Sequence, residues 1–170
     1  NVREKLEWAK RSAELYPEDY TAHVQALERV QPVDLTASEI AVRLGATWLP
    51  PKIVEQFMFE LFSTSNRSRW NIHVHYFQYT GEWNVEGKSY DKGNIKAQNT
   101  YGTERISGYK IVEETLNLRD VRIFDYETDH HGNRVPILNK KETAIAQGKQ
   151  QLIKQAFQDW IWKDPERRNR

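Results

Sequence analysis

Two histidines stand two residues apart in WNIHVHYF. On a strand, side chains two apart share a face, so His73 and His75 could offer two imidazoles to one metal ion. Such a pair needs at least one more ligand. Asp125, Asp129, His130 and His131, in FDYETDHHGN, supply candidates. A metal held by His73, His75 and Asp125 would suit nuclease chemistry, with a bound water as nucleophile. Nothing in the order of residues brings the two stretches together. The plainer reading is one polar strand face and one turn. Asp-His-His also opens a phosphoesterase signature, but the further aspartate motifs of that chemistry are missing.

Other chemistry finds no foothold. There is no phosphate-cradling G-x-x-x-x-G-K-[ST], no G-x-G-x-x-G and no G-x-S-x-G elbow. The Asn-Pro-Pro-aromatic motif of adenine methyltransferases is not present. The chain has no cysteine, which removes disulfides, thiolate nucleophiles and cysteine-based zinc sites. Carboxylates are numerous but scattered, with no pair marked as acid and base. No catalytic residue, metal site or cofactor is therefore assigned, and the chain alone is a poor candidate enzyme.

Phosphate binding is the remaining possibility. The net charge is only +1, but residues 139–170 hold eight Lys/Arg against four Asp/Glu. Residues 1–70 hold nine against ten, and residues 71–138 eight against ten. The excess lies in the last helix, where Lys140, Lys141, Lys149, Lys154, Arg167 and Arg168 are candidate phosphate contacts. Phe77 and Tyr79, outward on the first hairpin, are candidate base-stacking residues, and Tyr90 and Tyr101 lie nearby in sequence. The plainer readings are a solvated helix face and aromatics packed under helices.

The elements that must position these residues are legible in outline. Val2, Leu6, Ala9 and Ala13 share a helical face, and Tyr16-Pro17 breaks the helix. A second helix carries Tyr20, Val24 and Leu27 and stops at Pro32. Thr36 and Glu39 form a capping box, Gly45 ends that helix, and Pro51 opens the next, with Val54, Phe57, Met58, Leu61 and Phe62 inward. Trp70, Ile72, Val74 and Tyr76 alternate with polar neighbours, and Gly81 turns the chain back through Trp83 and Val85. Residues 87–103 read as a long polar loop, a class that is often functional or mobile. Thr103 is placed to cap a helix carrying Ile106, Tyr109, Val112 and Leu116. VRIFDYETDHHGNRVPIL is a second hairpin, and Asn139 with Glu142 caps a long last helix whose stripe runs Ile145, Leu152, Ile153, Ala156, Phe157, Trp160 and Ile161.

The fold expected is α+β: N-terminal helices, a small, mainly antiparallel sheet of two hairpins and a long C-terminal helix. Residues 1–170 form one domain, with a helical layer at 1–63, hairpins and an intervening helix at 70–138, and the long helix at 139–163. SEIAVRLGATWLPPKIVEQF mimics a helix-turn-helix, yet its second helix opens Pro51-Lys52-Ile53-Val54 and continues into apolar residues. It reads as a buried helix rather than a groove reader. No apolar run approaches the ~18–20 residues that span a bilayer. The absence of cysteine fits a cytoplasmic protein. A start on Asn1, already in a helical pattern, and an end on a charged helix read as cuts from a longer chain.

KLEWAK, VQPVDLTASEIAVRLGATWLPPKIVEQFMFEL, GEWNV, TYGTERISGYKIVEETLNLRDVRIFD and LNKKETAIAQGKQQLIKQAFQDWIWKDPERR, in this order, resemble one block of very large bacterial proteins. Those proteins belong to phages, plasmids and integrative conjugative elements, and fuse an adenine-specific DNA methyltransferase to a Swi/Snf-like helicase. The block lies between the two. The resemblance covers nearly all of the chain and implies a parent with methyltransferase and ATP-dependent helicase activity. The methyltransferase motif would lie before Asn1 and the ATP-binding motif after Arg170, so no catalytic residue carries over. The expected function is a non-catalytic DNA-associated module that positions DNA or couples the two enzymatic domains. Its partners would be DNA and those two domains, with no membrane. The alternative is a structural inter-domain spacer or protein-interaction module without DNA affinity.

Overall fold

The computed structural model describes residues 2–15, 24–26 and 42–163. The chain divides into two compact units, Asn1–Ala41 and Val42–Arg170. In the first, helix α1 spans Val2–Leu15, with Glu4 in the first turn where the helix dipole favours a carboxylate. Residues 24–26 are helical. The expected break at Tyr16-Pro17, the stop at Pro32 and the Thr36/Glu39 cap lie outside the described residues.

The second unit carries, in order, α2 (Pro51–Phe62), a short α3 (Asn66–Arg69), β1 (His73–Phe77), β2 (Glu82–Glu86), a 3-10 turn (Lys88–Asp91), a π-helical turn (Lys96–Thr100), α4 (Gly108–Leu116), β3 (Phe124–Thr128), β4 (Arg134–Leu138) and α5 (Lys140–Lys163). This is an α+β fold. Its strands form two separate antiparallel hairpins rather than one sheet. Helix α2 is the centre of the core. Pro51 occupies its first turn, where a missing N–H costs nothing, and Ile53, Val54, Phe57, Met58, Phe59 and Phe62 are buried. Phe57 meets Phe157 edge-on at 5.1 Å and Trp160 at 5.5 Å, which packs α2 against α5. Such pairs contribute ~0.5–1.5 kcal/mol beyond their buried area.

The first hairpin buries Val74, Trp83 and Val85, and Val74 pairs with Val85. A two-stranded sheet leaves two rows of edge N–H groups, and here helix-borne side chains accept from them. Val74 N–H donates to Glu55 Oε2 at 3.1 Å. On the other edge, Val85 N–H donates to Glu113 Oε2 at 2.8 Å, and Trp83 N–H to Asn117 Oδ1 at 2.9 Å. Buried Glu113 also receives Lys88 Nζ at 2.6 Å and Lys110 Nζ at 2.5 Å. Burial alone would push its carboxyl pKa up. The two lysines and the Val85 amide outweigh burial and hold it below the ordinary glutamate value.

The second hairpin hangs on α5 through an extended lead-in. Ile123 N–H donates to Thr143 Oγ1 at 2.9 Å, and Gln147 Nε2 donates to Val121 O at 3.1 Å. Gln150, almost fully buried, accepts from Val121 N–H at 3.2 Å and donates to Arg119 O at 2.8 Å. Positions 143, 147 and 150 recur on one helical face, so polar residues rather than apolar ones grip this segment. Beyond it, all residues of β3 and β4 are exposed. Asn139 N–H bonds Ile123 O and Asp129 N–H bonds Asn133 O, at opposite ends of the hairpin. The alternation of an antiparallel ladder then makes Tyr126 and Pro136 a non-hydrogen-bonded pair, and the proline's missing N–H faces the outer edge, where it is tolerated.

Four expectations are corrected. The helix expected after Thr103 starts later: Ser107 is its cap, accepting from Lys110 N–H at 3.3 Å, and α4 begins at Gly108. Thr103 Oγ1 instead bonds the amides of Arg105 and Ile106, closing a turn before the helix. On α5, Ile145 and Leu152 stand 43% and 53% exposed, and Thr143, Ala146 and Gln150 take the inward positions. Trp70 does not begin the strand alternation; it ends α3 and is 82% exposed. Finally, residues 87–103 are not an open loop but contain two helical turns, Lys88–Asp91 and Lys96–Thr100, the second with Ala97 buried. Asn139 does cap α5, accepting from Glu142 N–H at 3.0 Å.

Candidate nucleic-acid interface

The expected phosphate contacts on α5 do not gather on one face. At ~100° per residue, Lys149 and Lys154 lie about 140° apart, on opposite flanks of the buried stripe. Lys149 Nζ donates to the carbonyls of Asn99 and Thr100, at 2.9 and 3.0 Å, tying α5 to the π-helical turn. Lys154 lines a groove of ≈ 440 Å³ with Arg43, Arg119, Asp120 and four glutamines. Arg119 is paired there with Glu114 at 3.2 Å. Lys140 and Lys141 are exposed at the start of α5. Arg167 and Arg168 lie outside the described residues.

The outward face of the first hairpin shows His73, His75 and Phe77, as its alternation requires, but carboxylates stand among them. Phe77 pairs across the strands with Glu82, and His73 with Glu86. His75 Nε2 is 3.1 Å from Glu86. Phe77 is half-exposed, and Tyr79, in the turn, is fully exposed. A phosphate would meet two glutamates on this face.

The metal candidates are engaged separately. His73 Nε2 lies 3.0 Å from Trp70 O. Asp125 pairs with Arg105 at 2.7 Å and accepts from Asn139 at 2.8 Å, and these contacts, Arg105 first, hold its carboxyl below the ordinary aspartate value. Asp129 accepts the amides of His131 and Asn133 inside the turn. Among the described residues no three His, Asp or Glu side chains converge as a metal site.

A different surface concentrates positive charge. The segment after α2 and the segment after β2 are clipped together. Ser68 Oγ donates to Asp91 at 3.0 Å, Asn94 Nδ2 to Phe62 O at 2.9 Å and Lys96 Nζ to Ser63 Oγ at 2.8 Å. Gly87, at φ +74°, packs so tightly that a Cβ there would sit 1.8 Å from Asn71 O. The closure joins the segment that carries Arg67 and Arg69 to the segment that carries Lys92 and Lys96. Arg69 is fixed by a bond to Thr64 O at 2.9 Å and stacks over Phe59 at 5.4 Å. Arg67 and Lys92 form no ion pair among the described residues. The intervening carboxylate, Asp91, is taken up by Ser68, Asn94 and the Tyr109 hydroxyl. Burial of Tyr109, and then Asp91 beside it, pushes the phenol pKa far up, so the hydroxyl remains a donor.

The family model of a domain of unknown function, DUF8437, matches residues 43–170. The chain belongs to the DUF8437 family. The DUF8437 region starts one residue into the second compact unit, Val42–Arg170, so it coincides with that folded body. No curated protein and no solved structure matches the chain.

Within the DUF8437 region, charge counted along the chain missed Arg67, Arg69, Lys92 and Lys96. They lie in the stretches 1–70 and 71–138, whose excess of carboxylates elsewhere hides them, and the bonds from Ser68, Asn94 and Lys96, with the close Gly87–Asn71 approach, join the two short segments that carry them. The available signal was local: NRSRW and GKSYDKGNIK each pair basic residues with an aromatic. No helix among the described residues is long and apolar enough to cross a membrane.

Proposed function

We propose that this chain is a non-catalytic, DNA-associated module. It would lie between the methyltransferase and helicase domains of a cytoplasmic fusion protein, holding DNA for them or coupling them. The observation that carries the reading is the basic surface of Arg67, Arg69, Lys92 and Lys96, whose neighbouring carboxylate is enclosed by hydrogen bonds. Lys140, Lys141 and Lys154, with Arg167 and Arg168, would add longer-range attraction rather than a defined contact. Binding of this kind is sequence-tolerant and salt-sensitive. A salt titration of duplex binding tests it. The logarithm of the affinity should fall linearly with the logarithm of salt, by ~0.9 for each phosphate neutralised. Salt-independent binding, or none, would count against the reading.

A second reading has its own observation. The β3–β4 hairpin exposes Phe124, Tyr126, Val135, Ile137 and Leu138, and α5 exposes Ile145 and Leu152. Exposed apolar surface of this kind favours a spacer that packs against neighbouring domains. Concentration-dependent self-association of the chain, without affinity for DNA, would favour that reading.

A further inference from the structure

We infer that the surface joining residues 63–71 to 87–96 is a binding site for single-stranded DNA, in which Trp70 and Tyr90 stack bases while Arg67 and Lys92 contact phosphates. The inference rests on the DNA-associated reading and names its ligand and place. Trp70 and Tyr90 are 82% and 64% exposed, unlike the buried aromatics of the core. They stand on the two clipped segments: Trp70 ends α3, and Tyr90 lies in the 3-10 turn one residue from Asp91, which Ser68 bonds. Ile95, 71% exposed, adds an apolar platform, and a recess of ≈ 350 Å³ beside Lys96 adjoins it.

Large exposed rings on the same segments as cations fit bases with free faces. In a duplex those faces are stacked on one another, and protruding rings would keep a flat backbone away from the lysines. Nor does the surface carry an element shaped for a groove, since α3 has four residues and the facing turns are single turns. A single strand can splay its bases onto Trp70 and Tyr90 while its phosphates follow Arg67 and Lys92. Stacking of this type is tolerant of sequence. The support is stiff, because Gly87, Asn94 and Asp91 fix the two segments together, so little order has to be imposed on binding.

The test uses the 170-residue chain and three labelled probes: oligo(dT), a duplex of the same length, and oligo(U). Oligo(dT) should bind more tightly than duplex. Trp70→Ala with Tyr90→Ala should weaken oligo(dT) binding about tenfold or more and leave duplex binding nearly unchanged. Arg67→Glu with Lys92→Glu should lower the single-strand salt slope by about 1.4, ~0.7 per contact. Lys140→Glu with Lys141→Glu should have a much smaller effect. If the native chain binds DNA but neither surface variant weakens oligo(dT), the site is refuted and the DNA-associated reading stands. Duplex bound as tightly as oligo(dT), or oligo(U) bound tenfold more tightly, would overturn single-stranded DNA as the ligand. Failure of the native chain to bind any DNA would overturn both. All four side chains are exposed, so unchanged circular dichroism and melting temperature are expected and separate a lost site from a lost fold.

Discussion

Glu113→Gln isolates the charge that joins α4 to the first hairpin and to the start of the 87–96 segment. The substitution keeps the side chain's shape and leaves an oxygen for the Val85 amide. It removes the negative charge facing Lys88 at 2.6 Å and Lys110 at 2.5 Å. A hydrogen bond to a charged group contributes ~1.5–3 kcal/mol. Both ammonium groups are partly open to water, so the two bonds together are discounted to about 2 kcal/mol. For a domain of this size that lowers the melting temperature by about 4–8 °C at neutral pH. The effect also has a pH signature. The folded-state carboxyl lies below its ordinary value, so its stabilisation is present above the unfolded pKa and is lost as pH falls through the folded pKa. Native chain and variant should therefore melt apart at neutral pH and converge as pH drops below the ordinary glutamate range. Calorimetric scans across that range read both quantities. Equal melting temperatures at neutral pH, or a gap that persists unchanged once the carboxyl is protonated, would refute the assignment of Glu113 as a charged buried acceptor.

Three further outcomes follow from the packing. Gly87→Ala forces a Cβ against Asn71 O in a positive-φ conformation, and should cost about 2 kcal/mol or more by chemical denaturation while weakening single-strand binding with it. Phe157→Ala removes the ring packed on Phe57 and should cost ~3–5 kcal/mol, read as a lower denaturant midpoint with little change in slope. Tyr109→Phe takes a donor from Asp91 and should cost about 1–2 kcal/mol, with faster hydrogen exchange in residues 88–97 than in α5.

What was legible in the sequence was local. Alternation in NIHVHYF and FDYETDHHGNRVPIL, with Gly81 and Gly132 at their turns, predicts both hairpins, and Asn139 followed by Glu142 marks the start of α5. What was not legible depends on contacts far apart in the chain. Gln150 and Thr143 look like surface residues of a polar helix, yet they face inward because the 119–123 segment offers unpaired backbone groups there. Ile145 and Leu152 pass for core by hydrophobicity alone, but the centre of the buried stripe lies elsewhere on the helix. Thr103 and Ser107 are both competent caps, and the choice falls to Ser107 because Thr103 is occupied by a preceding turn. The basic surface is the same case. Arg67 and Lys92 lie twenty-five positions apart, on segments that the Ser68–Asp91 bond joins and whose close approach at Asn71 requires the glycine at 87.

The central claim is that this folded body associates with DNA without performing chemistry on it. Fluorescence anisotropy of a labelled forked DNA, which presents duplex and single strand together, titrated with the 170-residue chain at low and then moderate salt, tests it most directly. The account predicts saturable binding at low salt that weakens steeply as salt rises and leaves the DNA intact. No rise in anisotropy at tens of micromolar chain in low salt would contradict it.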